Sequence, residues 1–355
     1  MSKSIYVFTK TNWDESPRIR HQITNMLLKR GYEIYFFEKP RLSILKNKRV
    51  ENGLRLFNTF EFLHHQLRPF KPLIWINKIL TKYYIKSILK KEKHPDVILN
   101  FNYDYYFLRE VFPNKKIITI INDDFIDMAR PWMKSAARYQ LEKTSKNSDY
   151  NLALSYPLVN QIKTFTCRVE LFLPWAENEY KIHKEHIKKD TVLWWGYIRY
   201  DIDWEAIEFL LKNKIKILMV GPIESKKPVD NILNKLKGYS NFELKESTSL
   251  DKLDFSNICC SLLSYRKDVE YDRATTISNR GFNLLSNGIP LVYANLPNLI
   301  SAPKDVITKC NTNEEYLEAI CYFQHNLIKS QVSIKIFLEK HYEENRFIQL
   351  SDSLC

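Results

Sequence analysis

The feature that most constrains this sequence is a rhythm. Short apolar runs of strand length alternate with polar or helix-patterned stretches, and the rhythm starts twice. "SIYVFTK" opens the chain as a strand, and "SPRIRHQITNMLLKRGYEIYFFEKP" reads as a helix stopped at Gly31 and followed by a second strand. Ser16 suits that helix's cap and Pro17 its first turn. "PDVILNF", "KKIITIIN" and "YNLALS" continue the series. It restarts with "TVLWWGYI", the helix "DWEAIEFLLKN", "IKILMVGP", a polar helix, "NFELKE", "ICCSLLSY", a further helix and "PLVYAN". Strands alternating with helices imply a parallel α/β sheet. Two such series in 355 residues, too many for one ordinary core, imply two doubly wound domains with a cleft between them. The boundary is expected within "PWAENEYKIHKEHIKKD", which is polar and lacks apolar periodicity.

The composition, 45% hydrophobic and 27% charged, is that of a globular chain. The six cysteines include no C-x-x-C pair, so buried free thiols fit better than zinc ligands or a disulfide framework. "MSKSIYVFTKTNW" has no apolar core of signal-peptide length, and no run is long enough to span a bilayer. The expectation is a soluble or peripheral protein of a reducing cytosol. The net charge of +13 is carried entirely by residues 1–150, with 28 Lys and Arg against 15 Asp and Glu. Such a half suits a polyanion, whether anionic lipid, nucleic acid or a phosphorylated acceptor. Within it, "INKILTKYYIKSILKK" spaces Lys78, Lys82, Lys86 and Lys90 four apart on one helix face, backed by "LHHQLRPFKP". That stripe suits an anionic membrane surface, although a solvated crossover helix has the same pattern.

"TTISNRGFNLLSNGIPLVYANLP" holds Gly281 and Gly288, two of only 7 glycines. It parses as a helix capped by Ser278 or Asn279, a C-terminal stop at Gly288, Pro290 and a strand. Arg280 in the first turn, beside free backbone N–H groups, makes an anion site suited to phosphate. Gly281 would let a ligand approach the backbone. An ordinary well-capped amphipathic helix is the plain alternative.

In this segment the sequence resembles the GT-B glycosyltransferases, specifically bacterial surface-polysaccharide enzymes like glycosyltransferase family 4. Asn279, Arg280, Phe282, Asn283, Ser286, Gly288, Pro290 and Leu291-Val292 fall in register on a motif of the type N-K-x-x-E-x-x-A-x-G-x-P-V-V. "INDDF", "LFLPWAENEY", "WWGYIRYDIDWEAIEFL", "LMVGP" and "EKHYEENRF" are similar to further family segments and follow in the same order. The resemblance implies two Rossmann-like domains facing each other across a cleft. It implies an acceptor-binding domain at 1–175, an interdomain segment at 176–190, a nucleotide-sugar domain at 191–330 and, at 331–355, a helix packing back across the domains. It implies transfer of a hexose-type sugar from a nucleotide sugar to a glycan or lipid-diphosphate-linked acceptor, in bacterial capsule, O-antigen or lipopolysaccharide synthesis on the inner face of the plasma membrane. No metal and no nucleic acid are expected. The sequence departs from the family at Asn283, where a glutamate typically holds the donor ribose, and at Thr276, where an acidic partner is usual.

Without a metal, cationic side chains and helix ends must stabilise a leaving diphosphate. Arg199, in the loop after Gly196, and Arg280 are the candidates, each with a solvated surface arginine as its plain alternative. Gly221 and Pro222 follow a strand and should face the ligand edge of the sheet. Tyr265 ends another strand and is suited either to stacking on a base or sugar or to the core. For a base on the acceptor side, Asp123 and Asp124 are adjacent at a strand end, so only one can face the cleft. His21 is the other candidate, against a structural helix-face histidine. Asp201-x-Asp203 looks superficially like a metal pair, but Asp203 reads better as an N-cap. Two rivals come from other classes: a basic nucleic-acid-binding α/β protein and a catalytically inactive GT-B-like scaffold. An NAD-dependent oxidoreductase is disfavoured because G-x-G-x-x-G is absent from the first strand-helix turn.

Overall fold

A computed structural model describes residues 3–15, 18–41, 49–51, 53–60, 71–180, 189–266 and 275–354. Ser16, Pro17 and most of "LHHQLRPFKP" lie outside the described residues, as do residues 181–188 of the expected interdomain segment. The chain divides into two compact units, Met1–Leu173 with Phe347–Cys355, and Pro174–Arg346.

The first unit runs β1 (Ser4–Phe8), α1 (Ile19–Lys29), β2 (Glu33–Arg41), β3 (Arg49–Glu51), β4 (Leu54–Phe60), α2 (Lys71–Leu89) and β5 (Val97–Asn100). It continues through α3 (Leu108–Val111), β6 (Lys116–Ile121), α4 (Lys134–Asn147), β7 (Tyr150–Ala153), α5 (Tyr156–Lys163) and β8 (Val169–Leu171). The eight strands form one sheet in the order β3-β4-β2-β1-β5-β6-β7-β8, parallel throughout except for β3 against β4. The central strands are apolar along their whole length because helices cover both faces of a parallel sheet. On one face, alternate residues of neighbouring strands build an aromatic ladder. Register pairs Tyr6 with Tyr35, Phe8 with Phe37 and Phe37 with Phe57, and their rings stack at 4.8, 4.4 and 5.4 Å. The short strands β3, β4 and β8 were not apparent as separate runs in the sequence.

The second unit runs β9 (Thr191–Trp195), α6 (Trp204–Lys212), β10 (Lys216–Val220), α7 (Lys227–Leu236), β11 (Phe242–Lys245) and β12 (Ile258–Leu263). Then follow α8 (Asn279–Ser286), β13 (Leu291–Ala294), β14 (Ile307–Cys310) and α9 (Asn313–Leu338). Its six parallel strands are ordered β11-β10-β9-β12-β13-β14. The segment from residue 331 is not one closing helix. Gln331 lies within α9, which contains a non-helical residue at Asn326, and a separate α10 (Glu343–Leu354) follows. From Phe347 onward α10 belongs to the first unit, where Gln349 donates to the Leu171 carbonyl at 2.6 Å and Arg30 lies 4.1 Å over the Phe347 ring.

Each sheet reverses its winding once. In the first unit the chain builds outward from β1 to β2 and β4, then crosses to β5, so the reversal falls between β1 and β5. In the second unit it falls between β9 and β12. Loops leaving the carboxyl ends of strands on either side of such a point diverge and leave a crevice, which is where doubly wound sheets take ligands.

Candidate functional site

The carboxyl edge of the second sheet gathers several of the expected residues. Ser278 caps α8, its Oγ accepting from the Gly281 N–H at 3.3 Å, and Gly288 ends the helix with φ +69°. Arg280, in the first turn, reaches the ends of β9 and β12. Its guanidinium lies 5.0 Å over the Trp194 ring and donates a short hydrogen bond to the Tyr265 hydroxyl. Tyr265 in turn meets Trp194 edge to face at 5.7 Å. Beneath the arginine is Gly196 at φ +135°, a conformation L side chains rarely adopt; a Cβ there would meet the Arg280 Nη1, with Cδ at 3.0 Å. A Cβ at Gly221 would in turn collide with the Gly196 carbonyl. The two glycines thus let two strand-end loops pack backbone to backbone under one arginine.

Asn279, Arg280 and Asn283 share a helix face by their spacing. The Asn283 Oδ1 is buried without a hydrogen-bond partner among the described residues, a polar atom that protein folds rarely leave unsatisfied. The Pro222 carbonyl accepts from the Ile198 N–H at 3.0 Å.

One expectation changes, and two further candidates have protein partners of their own. Gly281 does not open the backbone to a ligand: a Cβ there would press on Ile277 Cγ1 at 3.3 Å and Leu291 Cδ1 at 3.4 Å, so its smallness serves helix-on-strand packing. Arg199 is tied by a 2.6 Å ion pair to Asp201, a carboxylate 1% exposed whose pKa burial raises. Tyr265 accepts from Arg280, meets Trp194 edge to face and lies 6.2 Å from the Tyr293 ring. Asp203 caps α6, accepting from the Ala206 N–H at 3.1 Å. Among the described residues no cluster of three or more His, Cys, Asp or Glu is placed to hold a metal.

The carboxyl edge of the first sheet separates the adjacent aspartates. The Asp124 Oδ1 accepts from the Ile126 N–H at 3.2 Å, the Asp127 N–H at 3.0 Å and the Gln161 amide at 3.1 Å, so it organises its own loop. Asp123 accepts a short hydrogen bond from the Asn122 amide. Burial pushes its carboxyl above the usual range, and Arg20 and Arg18 partly offset this. His21 has both ring nitrogens engaged by backbone: Nδ1 accepts from the Arg18 N–H at 3.0 Å, and Nε2 lies 3.1 Å from the Asn12 carbonyl. That arrangement needs the neutral tautomer with the proton on Nε2, and burial lowers the ring's pKa.

The basic helix also divides. Lys78 and Lys82 converge on Glu110, the latter at 2.7 Å. Lys86 and Lys90 are exposed, together with Trp75 and Tyr83. Among the described residues no helix is long and apolar enough to cross a membrane.

Sequence reasoning missed Trp194, hidden inside an apolar strand run, and Arg20, one residue from the His21 it singled out.

No family model and no curated protein matches the sequence. Solved structures do match along its whole length. A lipopolysaccharide outer core galactosyltransferase, WaaB in its apo form, superposes with TM-score 0.66 at 12% identity, covering 100% of this chain and 99% of that one. The α,α-trehalose 6-phosphate synthase of Burkholderia multivorans gives 0.67 at 9% identity, covering 100% and 98%. HepE of Anabaena in complex with UDP gives 0.64 at 9% identity, covering 99% of each chain. At such identities the likeness is one of architecture, and it agrees with the two sheet orders above. The chain has the GT-B fold, built as two Rossmann-like doubly wound domains.

Proposed function

We propose that this protein is a glycosyltransferase that takes a sugar, of hexose type, from a nucleoside-diphosphate donor. The observation carrying the reading is Arg280 at the winding reversal of the second sheet, in the first turn of α8 and fixed by Trp194, Tyr265 and Gly196. A fixed guanidinium beside a helix N-terminus stabilises charge that develops on a leaving diphosphate, and it does so without a metal. We assign to a donor hydroxyl Asn283, on the same helix face, whose Oδ1 has no hydrogen-bond partner among the described residues. HepE, similar in fold, was solved with UDP, which supports a nucleotide ligand for this architecture.

On the first unit we assign Asp123 as the base that takes the acceptor hydroxyl's proton. Asp124 and His21 we assign to structure, since their polar atoms serve the backbone around them. Arg199 we assign to holding its loop through Asp201. The acceptor is a glycan or lipid-diphosphate-linked saccharide of a bacterial surface polysaccharide, and the exposed face of α2 rests on the anionic inner surface of the plasma membrane. Trp and Tyr beside Lys suit that interface.

The test is nucleoside diphosphate release by purified protein from UDP-, GDP- and dTDP-sugars, together with release of CMP from CMP-sugars. The reading expects release from one nucleoside-diphosphate donor class and its loss in Arg280→Met. Release from none, or release unaffected by Arg280→Met, removes it.

A further inference from the structure

The mechanism above uses Asp123 at the first sheet's carboxyl edge but not its neighbour. Arg20 is 8% exposed, in the first turn of α1, and its Nε has no hydrogen-bond partner among the described residues. Nor does its guanidinium form an ion pair there. A buried cation without a partner is costly, and folds retain one where something else completes it. Asp123 acts on it through space rather than by contact. The first turn of α1 contains no acidic residue, so the helix end adds to the positive field.

Three more buried polar atoms lack partners on the same edge. They are Oδ1 of Asn12, in the loop after β1, Nδ2 of Asn102, after β5, and Oδ1 of Asn122, after β6. β1, β5 and β6 are neighbours, and the winding reversal lies between the first two. Two acceptors and a donor complement hydroxyl groups, which both give and take hydrogen bonds; an unpaired guanidinium complements an oxyanion.

We infer that this edge binds a hydroxyl-bearing acceptor that carries an anionic group, phosphate or carboxylate, held by Arg20, with Asn12, Asn102 and Asn122 on its hydroxyls. This deepens the transferase reading and rests on it for the word acceptor. Arg20 is then a specificity residue: it selects acidic over neutral saccharides before any chemistry occurs.

Calorimetric titration of the full chain with glucose, glucose 6-phosphate, glucuronate and inorganic phosphate tests this. The expectation is binding of glucose 6-phosphate, glucuronate or both at least tenfold tighter than glucose. Inorganic phosphate, lacking the hydroxyl contacts, should bind more weakly than the sugar phosphate. Arg20→Gln should abolish the preference and leave UDP binding, titrated in the same samples, unchanged. Equal or absent binding of all the sugars overturns the inference, as does a preference that survives Arg20→Gln. Should that variant not fold, Asp123→Asn decides. Removing the neighbouring carboxylate should tighten binding of the anionic sugar severalfold, and unchanged or weaker binding overturns the idea. If UDP fails to bind while the Arg20-dependent preference holds, the anion site stands and the transferase reading falls. The converse result removes only the anion site.

Discussion

Arg280 lies directly on the backbone of Gly196, close enough that a Cβ at residue 196 would meet the guanidinium, with Cζ at 3.3 Å. Gly196→Ala is therefore expected to displace the arginine as well as strain a backbone at φ +135°, at a cost on the order of 1–3 kcal/mol. Thermal unfolding should show a modest fall in Tm, and nucleotide titration a loss of binding larger than that fall explains. Retained affinity would mean that the arginine's seat does not matter.

Asp123 and Asp124 are adjacent but should respond oppositely. Asp123→Asn is expected to abolish turnover. It should also stabilise the protein near pH 8: burial raises the folded pKa, so the carboxylate's cost appears as pH climbs through that value and vanishes in acid. At pH 4 the variant and parent should unfold alike. Asp124→Asn should keep most activity and lower Tm, because three hydrogen bonds converge on its Oδ1. Rate and melting curves for both variants check this. A lower Tm in Asp123→Asn at pH 8 would contradict it.

Stability should also weaken in mild acid. His21 is held neutral by burial, and burial beside Arg346 brings the His341 ring down to about 4. The unfolded chain protonates both near the ordinary value of about 6.5, so stability present at neutral pH is lost as pH falls below that value. Denaturant unfolding at pH 7.5 and 5 measures the slope. His21→Ala should flatten it and cost about 1–3 kcal/mol at pH 7.5, without lowering the turnover of the folded fraction.

Lysine substitutions along α2 and at Lys90 just after it should not be equivalent. Lys86→Glu with Lys90→Glu should weaken co-sedimentation with anionic vesicles by roughly tenfold or more, since each basic residue near such a surface contributes about 1 kcal/mol. Lys78→Gln with Lys82→Gln should have a smaller effect, because these two already neutralise Glu110. Equal loss in both pairs would show that the whole stripe acts together.

The fold was legible because buried parallel strands must be apolar throughout, and "SIYVF", "VILN" and "IITII" stand out against the helices between them. A cap at Ser278 or Asn279 and the stop at Gly288 were legible because both depend on local backbone chemistry; the structure chooses Ser278. What sequence did not carry was the partner of each polar group. Nothing along the chain says that Arg199 is matched by Asp201 while Arg20 has no ion pair among the described residues, or that three hydrogen bonds converge on Asp124 while its neighbour accepts from Asn122. Gly281 was misread for the same reason: a missing side chain serves a ligand or an adjoining strand equally well, and only Ile277 and Leu291 decide it. Trp194 was invisible as a site residue because one face of a strand end looks like core until the arginine above it is placed.

The central claim is that Arg280 receives the diphosphate of a nucleotide. Titrating the full chain and its Arg280→Met variant with UDP, GDP and dTDP tests it most directly. One nucleotide is expected to bind the parent, and the variant to bind it at least tenfold more weakly, about 1.4 kcal/mol or more, with an unchanged fold. Equal affinity in the two proteins, or no binding of any of the three by the parent, would contradict it.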